Sequence, residues 1–189
     1  STDLSQRANS RTEIARMAES ARVSEEELAR SKIIHPEMDD ERVLNAFREL
    51  RTKVIQKSKN GNGLIMVTGI GLGDGASFVA QNLAASFAFD ESKTALLLDC
   101  NLKNPQIYAK GAPVKRLGLT DYLESDDVAV EKIIHRIGID RFRLIPSGAK
   151  CEVPAEYFTS PKMNNLLAQL KQRYPERYII LDTPPITES

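Results

Sequence analysis

Short solid apolar runs alternate along this chain with longer amphipathic stretches. "LIMVTG" at 64–69, "TALLLDC" at 94–100, "RFRLIPSG" at 141–148 and "YIILDTPP" at 178–185 are brief, mostly apolar and closed by Gly, Pro or Asp. Such runs predict strands, and "LIMVTG" in particular reads as buried on both faces. In "DDERVLNAFRELRTKVIQKS", Val43, Leu44, Phe47, Leu50, Val54 and Ile55 recur at helical spacing, with Asp39 or Asp40 placed to cap the start. That face is expected to dock on a sheet or a partner. Further helices are expected at about 75–89, around "LTDYLES", and from Pro161 to about Arg173 behind a Ser160 cap. In the last of these, Met163, Leu166, Leu167 and Leu170 read as core packing.

Strands alternating with helices predict right-handed crossovers and a parallel sheet with helices on both faces. A ligand crevice is then expected at the carboxyl ends of the strands. Residues 1–35 are rich in Glu, Arg, Ser and Ala and contain no aromatic residue, which reads as a mobile, partly helical arm ahead of one α/β domain at 36–189. Within it, Arg11, Arg16 and Arg22 among glutamates read as a solvated helix face, with an interaction tail as the alternative.

Composition narrows the function. Lys plus Arg and Asp plus Glu both number 26 in 189 residues, so no global field favours nucleic acid or an anionic membrane, and no nucleic-acid partner is expected. No apolar run approaches the ~20 residues a membrane-spanning helix needs, and no leader pattern is visible, so the chain reads as cytosolic. Opening on Ser1 suggests a trimmed product or a fragment. Cys100 and Cys151 are too few for a disulfide framework, and Cys100 reads as a core thiol. His35 and His135 have no Cys or carboxylate at metal-ligand spacing, and both read as structural.

Three strand ends carry the candidate chemistry. In "VTGIGLGDGAS", Val67–Ser77, Gly71, Gly73 and Gly75 give a turn whose backbone N–H groups can converge on phosphate, with Asp74 and Ala76 among the loop residues. Ser77 offers a hydroxyl to Mg²⁺ at a helix start. The pattern GxxxxGK[ST] is incomplete, because Ile70 stands at its first glycine and Ala76 at its lysine; a plain Gly-rich turn is the alternative. In "ALLLDCNLKNP", Asp99 can hold metal or polarise a hydroxyl, or cap a turn. Beyond it, Lys103 and Pro105 follow, and Lys103 reads either as a partial substitute for the lost lysine or as a solvated surface lysine. In "YIILDTPPI", Asp182 can sit behind a metal's water shell.

Taken in order, these stretches resemble the cytoplasmic domain of bacterial tyrosine kinases, P-loop proteins of the deviant-Walker class that accompany polysaccharide co-polymerases in capsule and exopolysaccharide export. The similarity runs from about Asn45 to Pro185. "FRELRT" (47–52), "QNLAAS" (81–86), "LLLDCNLKNP", "GLTDYL" (118–123), "PAEYFTSP" (154–161) and the DTPP end (182–185) match the family's runs. The resemblance implies a P-loop NTPase-like fold, truncated at its C-terminal end relative to the family. It also implies ATP or ADP with Mg²⁺ at Gly71–Ser77, metal and catalytic roles for Ser77, Asp99 and Asp182, and oligomerisation through Arg48 and Arg51. A membrane co-polymerase is the implied partner, holding the chain at the inner face of the membrane, and a homo-oligomer is implied with it.

The departures fall on the chemistry. Ala76 replaces the lysine, Asn101 replaces the second aspartate of the family's DxD pair, and Asn45 stands where the oligomerisation helix carries a glutamate. Tyr108, Tyr122, Tyr157, Tyr174 and Tyr178 are scattered, with no counterpart of the family's C-terminal tyrosine cluster. Loss of one preorganised donor commonly raises a barrier by about 3 to 4 kcal/mol. The expectation is therefore a kinase-like docking subunit with feeble or absent catalysis and weakened nucleotide binding. The alternatives are an active tyrosine autokinase completed in trans and, ranked below it, a MinD-like or ParA-like ATPase, which needs a lysine that this loop lacks between Gly63 and Ser92.

Overall fold

The sheet is built around two strands that water does not reach. In the computed structural model, which describes residues 12, 14–58, 63–103, 116–173 and 176–188, every residue of β2 (Thr94–Asp99) and β5 (Arg177–Asp182) is buried. Their neighbours are β1 (Leu64–Val67), β3 (His135–Arg136) and β4 (Phe142–Ile145), in the order β1-β5-β2-β4-β3. The β1–β5, β5–β2 and β2–β4 pairs are parallel, as the strand–helix alternation predicts. β3 pairs antiparallel with β4; two residues leave no periodicity for a sequence reading to find.

Helices cover both faces. Side chains alternate across a strand, so Ala95 and Leu97 of β2 with Tyr178 and Ile180 of β5 face one layer. That layer holds α2 (Glu41–Lys57) and α3 (Ala76–Ala88), with the short α1 (Glu25–Arg30) at its margin. Leu96, Leu98, Ile179 and Leu181 face the other, built from α4 (Leu119–Glu124), α5 (Val130–Ile133) and α7 (Pro161–Arg173), with α6 (Pro154–Phe158) just before α7. Full burial of each leucine in β2 stabilises the fold by about 2 kcal/mol. Phe87 of α3 stacks on Tyr178 at 4.0 Å between centroids, joining the helix to the sheet.

The expected caps form: Asp40 accepts the N–H groups of Arg42 and Val43, and Ser160 Oγ accepts that of Met163. The apolar stripe of α2 lies on α3 through Leu44 and Phe47, and the Arg51 guanidinium donates to the Ser86 carbonyl at 2.6 Å.

One expectation is corrected. β1 is not buried on both faces: it is an edge strand in the described sheet, leaving Leu64 47% and Met66 65% exposed. Described residues of the 1–35 stretch pack against the α/β domain. Met17, Leu28 and Ile34 are few but buried, Glu19 forms an ion pair with the buried Arg143 at 2.5 Å, and Val23 N–H donates to Gly138 O. Spaced apolar residues plus backbone pairing to the β3–β4 hairpin anchor a segment whose average composition is polar. Arg22 pairs with Asp140; residues 1–11 with Arg11, the "GN" at 61–62, Pro105, Tyr108 and Tyr174 lie outside the described residues.

Candidate functional site

The carboxyl ends of three parallel strands align in one row. Val67 of β1 pairs in register with Asp182 of β5, and Asp182 with Asp99 of β2. The chain leaving β1 arches over this row and enters α3. Within the arch, Gly73 and Gly75 have φ of 78° and 90°, conformations an L side chain resists. Gly75 is the N-cap of α3, so the helix starts with its N–H groups and the positive end of its dipole turned toward the arch. The chain after β5 closes the other side: Thr183 N–H donates to Val67 O, Thr68 Oγ1 to Pro184 O, and Ile186 N–H to Gly69 O.

These elements enclose a cavity of about 260 Å³. Gly71, Gly73, Asp74, Gly75, Ala76 and Ser77 line it from the loop, Asn101 and Lys103 from the segment after β2, and Thr183, Pro184 and Pro185 from the segment after β5. The loop residues expected from the sequence therefore share one cavity with Asn101. Lys103, exposed to solvent, reaches its wall. The sequence reading missed Thr183 and the two prolines as wall residues; the DTPP match carried that signal.

Behind the wall lies a buried polar cluster. Ser77 Oγ donates to Asp182 Oδ2 at 2.7 Å, and Asn101 Nδ2 donates to the same oxygen at 3.1 Å. Asp182 Oδ1 is buried with no hydrogen-bond partner among the described residues. Asp99 is fully buried and accepts the Asn101 N–H at 2.9 Å. Burial raises the Asp182 carboxyl, against the lowering pull of the Ser77 and Asn101 donors, to about 6. The Cys100 thiol, between the two acids, is pushed up by burial and then by their charge, which makes it an inert core group.

A Mg²⁺ ion binds hard oxygens. Ser77 and Asn101 line the cavity and the orphaned Asp182 Oδ1 lies buried behind them; these are the residues that would hold one, partly through water, and the metal would supply charge neutralisation of bound phosphate. No group of three or more His, Cys, Asp or Glu is disposed as a metal cage among the described residues. Asp99 is buried and does not line the cavity.

Asp74 occupies the loop in an unforeseen way. Its carboxylate accepts the N–H groups of Ile70 at 2.6 Å, Gly71 at 3.3 Å and Ala76 at 3.3 Å. The Gly71 and Ile70 donors hold it below the usual carboxylate range. It sits so close over Gly69 that a Cβ there would lie 2.4 Å from both oxygens. Backbone donors that could face a phosphate therefore already face an internal anion, and the loop has no lysine of its own to offset it, because Ala76 ends at its methyl group.

The other expected positions are distributed as follows. Arg48 is exposed beside Asn45, whereas Arg51 is tied to α3. His135 Nε2 lies 2.7 Å from Leu117 O, and His35 is buried. No helix among the described residues is long and apolar enough to cross a membrane.

No protein-family profile matches the chain. EpsB of Ralstonia nicotianae, assigned as a tyrosine-protein kinase, is 30% identical over 148 residues, covering 78% of this chain and 19% of EpsB. The tyrosine-protein kinase Wzc of Salmonella typhi is 30% identical over 144 residues, 76% of this chain and 20% of Wzc. The chain thus spans about a fifth of the length of the curated relatives it matches. Among solved structures, the chimerical protein CapA2B2 superposes with a TM-score of 0.74 at 26% identity, covering 84% of this chain and 69% of that one. The kinase domain of Escherichia coli ETK gives 0.67 at 28% identity, covering 77% and 56%. MinD of Pyrococcus furiosus, at 22% identity and a TM-score of 0.53 over 66% of this chain and 51% of that one, shares the fold alone. A glycine arch over aligned acidic strand ends, in a sheet of this order and with these relatives, places the chain in the bacterial tyrosine kinase family of P-loop proteins.

Proposed function

We propose that this chain is a kinase-like subunit of a bacterial capsule or exopolysaccharide system, that its phosphoryl-transfer activity is lost or nearly lost, and that it acts by docking. One observation carries the reading: Ala76 stands at the loop's lysine position, the lysine in the cavity wall, Lys103, comes from the segment after β2, and Asp74 turns its charge onto the loop's N–H groups. Phosphoryl transfer rests on positioning and on electrostatic stabilisation of charge spread over the γ-phosphate oxygens. A loop with an internal anion and no lysine of its own supplies little of the second. Ser77, Asn101 and Asp182 would retain a Mg²⁺-assisted ground-state contact with ATP or ADP, weaker than a complete cradle gives. The partner in this reading is a membrane polysaccharide co-polymerase, which would hold the chain at the inner membrane.

Incubation with γ-labelled ATP and Mg²⁺ or Mn²⁺ tests the proposal. The expected result is no phosphotyrosine; robust autophosphorylation on tyrosine would end it. A second reading, an active kinase completed in trans, is favoured by Lys103 at the cavity wall and by the open mouth that would admit a neighbour's side chain. Activity that rises with protein concentration or on addition of a partner would select that reading.

A further inference from the structure

A second concavity lies on the α2–α3 layer, outside the phosphate loop. α1, the connection after it and the start of α2 enclose an open groove of about 540 Å³ that ends on Phe78. Ile33, Met38 and Val43 are half-buried in its floor, and Phe78 is 40% exposed. Glu25 and Glu26 of α1, Glu37 and Asp39 of the connection, and the capping Asp40 stand around this floor, against Lys32. A chain of zero formal charge thus concentrates negative charge over exposed apolar surface.

The groove is preformed. Asn82 of α3 accepts the Ile34 N–H at 2.7 Å and donates to Lys32 O at 2.9 Å and to Phe78 O at 3.0 Å, which fastens the wall to the helix. His35 lines the groove at 8% exposure, and its Nδ1 is buried without a hydrogen-bond partner among the described residues. A buried polar atom without a partner is costly unless a ligand satisfies it. A metal ion does not explain the cluster, since the described residues contain no group of three or more ligating side chains disposed to hold one.

We propose that this groove docks a basic amphipathic segment of a partner protein, carrying Lys or Arg on either side of a large apolar side chain. The apolar residue fits the floor of Ile33, Met38, Val43 and Phe78, the flanking cations meet the acidic rim, and a polar group of the segment reaches His35. Charge complementarity selects the partner and exposed apolar area anchors it. Phe78 directly follows Ser77, so a docked segment touches the residue beside the loop's hydroxyl. The proposal deepens the docking reading and rests on it.

The test is fluorescence anisotropy of the full chain with a labelled peptide Arg-Lys-Leu-Phe-Lys-Arg and an acidic control, Glu-Asp-Leu-Phe-Asp-Glu. The basic peptide is expected to bind and the acidic one not. Affinity should fall at least ~10-fold when salt rises from about 50 to about 500 mM. The double variant Glu37→Lys/Asp39→Lys, at two exposed positions, should lower it to a similar degree, and His35→Ala should weaken it while circular dichroism stays unchanged. No binding of the basic peptide, equal binding of the acidic one, or unaltered affinity in the double variant overturns the proposal. Displacement by spermine at the peptide's own concentration also overturns it, by making the groove a polyamine site. The labelled-ATP assay decides the docking reading separately: phosphotyrosine sinks that reading, whereas failed peptide binding sinks the groove alone.

Discussion

The hydroxyl of Ser77, in the first turn of the loop helix, donates to Asp182 at the end of β5 across 2.7 Å. This bond ties the glycine arch to the sheet, and it places the loop's hydroxyl beside a carboxylate that burial has raised to about 6.

The raised Asp182 makes stability fall as pH rises. Its protonated form suits the buried site, so the linked stability is fully present below the unfolded value near 4 and is lost as pH climbs through about 6. Asp182→Asn keeps the shape without the charge and is expected to stabilise the metal-free protein by ~2 kcal/mol at about pH 7.5, with little change at about pH 4. Thermal melts at both pH values check this; an equal gain at both would remove the linkage.

In the proposed reading, Asp74 competes with phosphate for the loop's donors. Asp74→Ala frees the N–H groups of Ile70, Gly71 and Ala76 and removes a like charge. Calorimetry with Mg²⁺–ATP is expected to show affinity at least ~3-fold tighter than wild type, by the weakened repulsion between exposed charges. Unchanged or weaker binding would show that the carboxylate shapes the loop without opposing the ligand.

Arg48 and Arg51 separate by their surroundings. Arg51 is half-buried and donates to Ser86 O, so Arg51→Ala is expected to destabilise the monomer by ~1–3 kcal/mol through an orphaned carbonyl. Arg48 is exposed, and Arg48→Ala should stay within about 0.5 kcal/mol. Urea unfolding distinguishes them, and sedimentation reports whether either change alters assembly.

Phe87 tests the packing that carries α3. It is fully buried and stacked on Tyr178, so Phe87→Ala is expected to cost about 3 to 5 kcal/mol in denaturant unfolding. A loss below about 1 kcal/mol would mean that the helix does not depend on this contact.

The strongly patterned elements were legible in the sequence because their signals are local. β2, β4, β5, α2, α3 and α7 fall where solid apolar runs or 3.6-residue spacing place them, and Asp40 and Ser160 cap as their chemistry directs. The loop and Asn101 were found by motif and do share one cavity. What escaped depends on neighbours distant in the chain. The exposure of Leu64 and Met66 follows from the edge position of β1, which its own apolar run does not encode. Met17 and Glu19 are anchored by Arg143 of β4, more than a hundred positions away, a contact that composition averages erase. The fold-back of Asp74 depends on the arch's backbone geometry, so it read only as one more loop residue.

The central claim is that a correctly built phosphate arch lacks its cation. Calorimetric titration of Mg²⁺–ATP into wild type and Ala76→Lys tests it most directly. A cation restored at the mouth of the cradle should tighten binding at least ~10-fold over a weak wild-type baseline. Equal affinity in the two proteins, or wild-type binding already as tight as the variant's, would contradict the account.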